Sequence, residues 1–214
     1  SPRLLLMDEP LASLDAGRRA EILPFLDRLR GELAIPIVYV THNVDEILHL
    51  ADTLVVLGGG RSRATGPVEE ILSRKDLRPW TGVQDAGSVF AATVEGTGAD
   101  GLTSLAFGGG ILRVAGGPPP GAQVRVRVHA RDVSLALERP RNISVLNVFE
   151  GTVTGLEDDG PQVDVRLDIG VPLWARITRH SATELGLAAG VRAFALIKAV
   201  AVDRESHGPS VGAG

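Results

Sequence analysis

The first 77 residues alternate wholly apolar runs with stretches whose apolar positions recur every three or four residues. L-L-L-M at 4–7 is continuous, the pattern of a strand buried on both faces. Apolar residues at 22, 23, 26, 29 and 33 follow, a spacing that predicts a helix over 16–33 with Pro24 as a local irregularity. I-P-I-V-Y-V-T-H (35–42) predicts a second buried strand and N-V-D-E-I-L-H-L-A (43–51) a helix. D-T-L-V-V-L-G-G-G-R (52–61) predicts a third strand ending in a glycine turn. G-P-V-E-E-I-L-S-R (66–74) predicts a short closing helix with proline near its first turn. This alternation predicts an α/β arrangement, a parallel sheet covered by helices.

After Arg78-Pro79 the period changes. Glycine-rich turns separate short β-type runs, among them 124–128 and 133–137, and no long helical period survives. P-P-P at 118–120 reads as a surface loop, because strands resume at once. This half also repeats itself: A-T-V-E-G-T-G-A-D-G (92–101) matches G-T-V-T-G-L-E-D-D-G (151–160). V-H-A-R-D-V-S-L (128–135) parallels A-L-I-K-A-V-A-V (195–202), which sets Arg131 opposite Lys198. Two related small all-β, OB-like barrels are expected. The division is 1–78 for the α/β part, 87–139 for the first barrel half, 140–205 for the second and 206–214 for a flexible tail.

Composition narrows the function. The chain has 214 residues with a formal net charge of −4, which argues against a nucleic-acid partner. It contains no cysteine, which excludes disulfides and thiolate metal sites. No apolar run approaches the ~20 residues of a membrane-spanning helix.

The candidate chemistry of the first half begins at Asp8-Glu9. A buried strand that ends in two carboxylates delivers them to its C-terminal edge, where ligands bind in open α/β sheets. There Asp8 can hold Mg²⁺ through water and Glu9 can polarise water attacking a γ-phosphate. L-L-L-M-D-E-P, S-L-D (13–15) and T-H (41–42) together resemble the Walker B strand, D-loop and switch histidine of ATP-binding-cassette ATPases. The resemblance implies Asp8 as Mg²⁺ ligand, Glu9 as general base, Asp15 as an inter-subunit contact and His42 as γ-phosphate sensor. The alternative for His42 is a hydrogen-bonded core histidine. G-x-x-x-x-G-K-[ST], the glutamine loop and L-S-G-G-Q are absent from the sequence. The expectation is an N-terminally truncated subunit that does not hydrolyse ATP by itself.

In the second half, V-H-A-R-D-V-S-L-A-L resembles the strand opening the accessory barrel of importer ATPases. Residues 142–203 resemble the Mop domain of molybdate-binding proteins and molybdate-importer ATPases, whose pattern is S-x-R-N…G-x-V…A-x-I-T-x-x-S…A-x-I-K-A. Ser144, Thr178, Ser181 and Lys198 stand at positions matching the family's oxyanion ligands. Hydroxyls and an ammonium suit a tetrahedral dianion in a desolvated notch. The alternative is that Thr178 and Ser181 cap a short helix before Leu185 while Lys198 is a solvated strand residue. Leu146 replaces the family's arginine, with Arg141 and Arg176 as candidate substitutes.

These resemblances imply the ATPase subunit of a molybdate (or tungstate) importer with a C-terminal oxyanion-binding regulatory domain. ATP and Mg²⁺ would be its cofactors and molybdate its ligand. Its partners would be a second copy in a homodimer, transmembrane permease subunits and an extracytoplasmic molybdate-binding protein. It would lie peripherally on the cytoplasmic face of the inner membrane. One rival is the ATPase of a sulfate, sugar or other solute importer with a merely structural barrel. Another is a non-enzymatic molybdate-binding protein.

Overall fold

A computed structural model describes residues 3–33, 35–81, 87–199 and 202–207. The chain divides into two compact units, one of residues 1–83 with 205–214 and one of residues 84–204.

In the first unit, β1 (Leu5–Asp8) pairs in parallel with β2 (Ile37–Val40), Asp8 lying beside Val40. Between them runs α1 (Ala16–Glu32), capped by Asp15, whose side chain accepts from Arg18 N at 2.9 Å. Next, α2 (Val44–Leu50) is capped by Asn43, which accepts from the backbone N–H groups of Asp45 and Glu46. Two expectations are corrected here. Strands β1 and β2 were expected to be buried on both faces, but Leu4, Leu6, Val38 and Val40 are 43–65% exposed. Alternate residues turn inward and nothing among the described residues covers the other face.

The third strand, β3 (Thr53–Gly58), does not join that parallel pair. It forms a separate antiparallel hairpin with β4 (Arg61–Pro67), turning at Gly59 and Gly60, both at positive φ. α3 (Val68–Ser73) and α4 (Arg78–Thr81) follow, and Val56, Ile71 and Leu77 form a small core with Leu54 and Ala64.

The second unit is the all-β barrel region. Its first repeat is β5 (Gly87–Thr97), β6 (Leu102–Phe107), β7 (Gly110–Ala115), β8 (Gln123–His129) and β9 (Val133–Ala136). Its second is β10 (Asn147–Asp159), β11 (Gln162–Asp168), β12 (Pro172–Thr178), α5 (Arg179–Glu184), β13 (Arg192–Ile197) and β14 (Val202–His207), the last three residues of which are grouped with the first unit. Both repeats carry a register shift at matching places, between Val94 and Gly96 and between Val153 and Gly155. The matched T-V segments of the sequence are therefore the first strands of two like sheets.

The sheets exchange their last strands. One has the order β14-β8-β5-β6-β7 and the other β12-β11-β10-β13-β9, so each repeat's fifth strand pairs with the fourth strand of the other. The sequence division at 139/140 thus separates the repeats but cuts across both sheets. Residues 206 and 207, expected in a tail, end β14, and 208–214 lie outside the described residues. Pairing of Ser88 with Val128 and of Asn147 with Ile197 also equates Lys198 with His129, correcting the expected match to Arg131.

One hydrophobic core runs through both repeats, from Val94, Leu105, Leu112 and Val126 to Val153, Val165, Leu173 and Ile197. Phe90 and Phe149, at matching positions, flank Phe107 with ring centroids 5.0 and 5.2 Å away. The hairpin turns of the two repeats meet at glycine, where a Cβ on Gly108 would lie 2.8 Å from Gly170 O. Any side chain there would push the repeats apart.

Candidate functional site

Parallel pairing of β1 with β2 sets the end of each strand beside the other. Asp8 is the last residue of β1, and Glu9 turns sharply away at φ 46 while its N–H donates to Val40 O at 2.9 Å. A left-handed conformation is strained for glutamate and persists where surrounding contacts enforce it. Glu9 Oε1 thereby accepts from His42 Nδ1 at 2.7 Å. This hydrogen bond, and then the nearby carboxylate charge, hold the imidazole above its ordinary 6.5.

Asp8 is exposed at the same edge. Among the described residues no three His, Asp or Glu side chains cluster to hold a metal. Asp15 caps α1 and keeps a 68% exposed side chain.

Sequence reasoning missed the group behind this edge. Glu46 is 2% exposed and accepts from Thr41 Oγ1 at 2.7 Å and from Tyr39 OH at 3.0 Å. Burial, and then Glu46, push the Tyr39 phenol well above its usual range. The available signal was the period of two on β2, which points Tyr39 and Thr41 to one side.

In the barrel region Thr178 caps α5: its Oγ1 accepts from Ser181 N at 3.1 Å and lies 2.8 Å from Ser181 Oγ. Ser144 and Lys198 are both exposed. They lie near the Asn147 end of β10, since Asn147 pairs with Ile197. Thr178 pairs with Gln162 and Gln162 with Asp159, so Thr178 and Ser181 belong to the opposite end of that 13-residue strand. The four expected ligands form two pairs, not one cluster.

Leu146 is 49% exposed. Arg176 is no free substitute for the arginine missing there: its fork binds Asp164 at 2.7 and 3.0 Å, and Nη2 reaches Asp159 at 3.1 Å. Arg141 is exposed.

The chain thus carries a swapped pair of β-sheets preceded by a strand-end carboxylate and histidine, and known proteins resemble it. Residues 143–203 match the TOBE domain family. A molybdenum import ATP-binding protein, ModC, of Rhodospirillum rubrum is 47% identical, over 98% of this chain and 60% of that protein. ModC 1 of Azotobacter vinelandii is 51% identical, over 94% of this chain and 57% of its own length. The chain is similar to these molybdenum import ATP-binding proteins and spans 57–60% of their length. A crystal structure of the cytoplasmic molybdate-binding protein ModG, with molybdate bound, superposes with a TM-score of 0.50 at 26% identity. That match covers 55% of this chain and 94% of ModG. No helix among the described residues is long and apolar enough to cross a membrane.

Proposed function

We propose that this chain belongs to the ATP-hydrolysing subunit of a molybdate importer. The observation that carries the reading is the 2.7 Å pairing of Glu9 with His42 at the end of two parallel strands. In it Glu9 takes the proton of the attacking water, and His42, held on Glu9, faces the γ-phosphate. Asp8 would hold Mg²⁺ through water. Mg²⁺·ATP supplies the transferable phosphoryl group and the neutralisation of its charge.

The sequence carries no G-x-x-x-x-G-K-[ST] loop, and the 214-residue chain by itself is expected not to turn over ATP. In the working importer the subunit is a homodimer with Asp15 at its interface. It lies on the cytoplasmic face of the membrane beside permease subunits, which a separate molybdate-binding protein supplies.

The barrel region binds molybdate or tungstate. Ser144 and Lys198 at one end of β10 and Thr178 and Ser181 at the other support a site completed by two copies of the chain. Oxyanion occupancy would then hold the dimer in one state and regulate uptake. A structural barrel is the second reading, favoured by Leu146 in place of a cation.

In the complete subunit, Glu9→Gln is expected to leave nucleotide affinity intact and slow hydrolysis by roughly two orders of magnitude. Near-normal hydrolysis by that variant would remove Glu9 from the role of base.

A further inference from the structure

The buried carboxylate of Glu46 has no part in the roles given so far. It stands in the first turn of α2, where acidic residues usually face water, yet it is 2% exposed. Burying a carboxylate is costly and well-packed apolar residues are often as stable, so its presence asks for a reason beyond stability.

The contacts supply one. Arg19 Nε lies 3.1 Å from Glu46 Oε1, an ion pair outside hydrogen-bond alignment. The other end of the same guanidinium, Nη2, donates to Leu14 O at 3.1 Å, one residue before Asp15. On the far side, Thr41 Oγ1 donates to Glu46 and accepts from Asn43 N at 3.1 Å. The residues on both sides of His42 are therefore tied to this carboxylate, and the S-L-D segment is tied to it through Arg19.

We propose that Glu46 is a positioning residue which, with Arg19, couples the S-L-D segment to His42. The inference rests on the hydrolytic reading above. If Asp15 meets a second copy, displacement of Leu14 passes through the Arg19 fork to Glu46, from there to Thr41, and so to the backbone that carries His42. The charged groups facing His42 are Glu9, Glu46 and Arg19. The device registers closure of the subunits at the residue that faces the γ-phosphate.

The test uses the His42 ring resonances in NMR spectra of the 214-residue chain at fixed pH, with exposed His180 as internal reference. Glu9→Gln sets the scale of a lost Glu9–His42 contact. Glu46→Gln and Arg19→Met are each expected to displace the His42 signals by about half of that scale or more, while Arg19→Lys, which keeps the charge but loses the two-ended fork, recovers the wild-type position only in part. If Glu46→Gln does not fold, Thr41→Val against Thr41→Ser carries the test, valine displacing the signals and serine retaining them. Wild-type His42 signals in Arg19→Met and Thr41→Val, with Glu9→Gln displaced, overturn the coupling alone. His42 signals that Glu9→Gln leaves unmoved overturn the Glu9–His42 pairing itself, and the hydrolytic reading with it.

Discussion

Asn147 spends its whole side-chain amide on one residue of the other repeat: Oδ1 accepts from Arg113 N at 2.7 Å and Nδ2 donates to Arg113 O at 2.9 Å. Ser88, its counterpart in the first repeat, accepts from Trp174 N at 2.8 Å. Each repeat's first strand thus satisfies the third strand of the other, where sheet pairing leaves an edge. Asn147→Ala strands a donor and an acceptor and is expected to cost about 2–3 kcal/mol, against about 1–2 for Ser88→Ala. Urea unfolding of the chain measures both, and equal, negligible losses would show that water replaces these bonds.

The second prediction concerns buried charge. Arg176 forks onto Asp164, which is fully buried, so Arg176→Met removes a charged partner from a buried carboxylate and should cost about 3 kcal/mol or more. A loss below about 1 kcal/mol, read from the same unfolding curves, would mean that the pair is screened like a surface contact.

A third follows from the Glu9–His42 contact. Because Glu9 raises the folded-state value above 6.5, the contact stabilises fully below the unfolded pKa and fades as pH rises through the raised folded value. NMR titration should place the His42 midpoint above 6.5, and Glu9→Gln should return it toward that value. An unchanged midpoint in the variant would contradict the assignment of the cause.

Much of this was legible in the sequence, for identifiable reasons. Glu9 and His42 sit next to strand ends, so local pattern placed both. The repeat at 92–101 and 151–160 appears as matching first strands because the T-V step and bulge are local features. R-S-R-A-T-G-P has no apolar alternation, which hid β4 and with it the antiparallel hairpin. Strand exchange depends on register between distant segments, which no local period encodes. Asp45-Glu46 reads as a solvated helix start, and only the fold places Arg19, Tyr39 and Thr41 around the second of them.

The claim that the barrel region binds the importer's cargo is tested most directly by calorimetry of the 214-residue chain with molybdate, tungstate and sulfate. Heat is expected with molybdate and tungstate, with weaker binding of sulfate and a loss of about 2 kcal/mol of molybdate affinity in Lys198→Ala, as for a charge-assisted contact. No heat with any of the three anions would leave the barrel structural, and sulfate binding as tightly as molybdate would contradict the molybdate assignment.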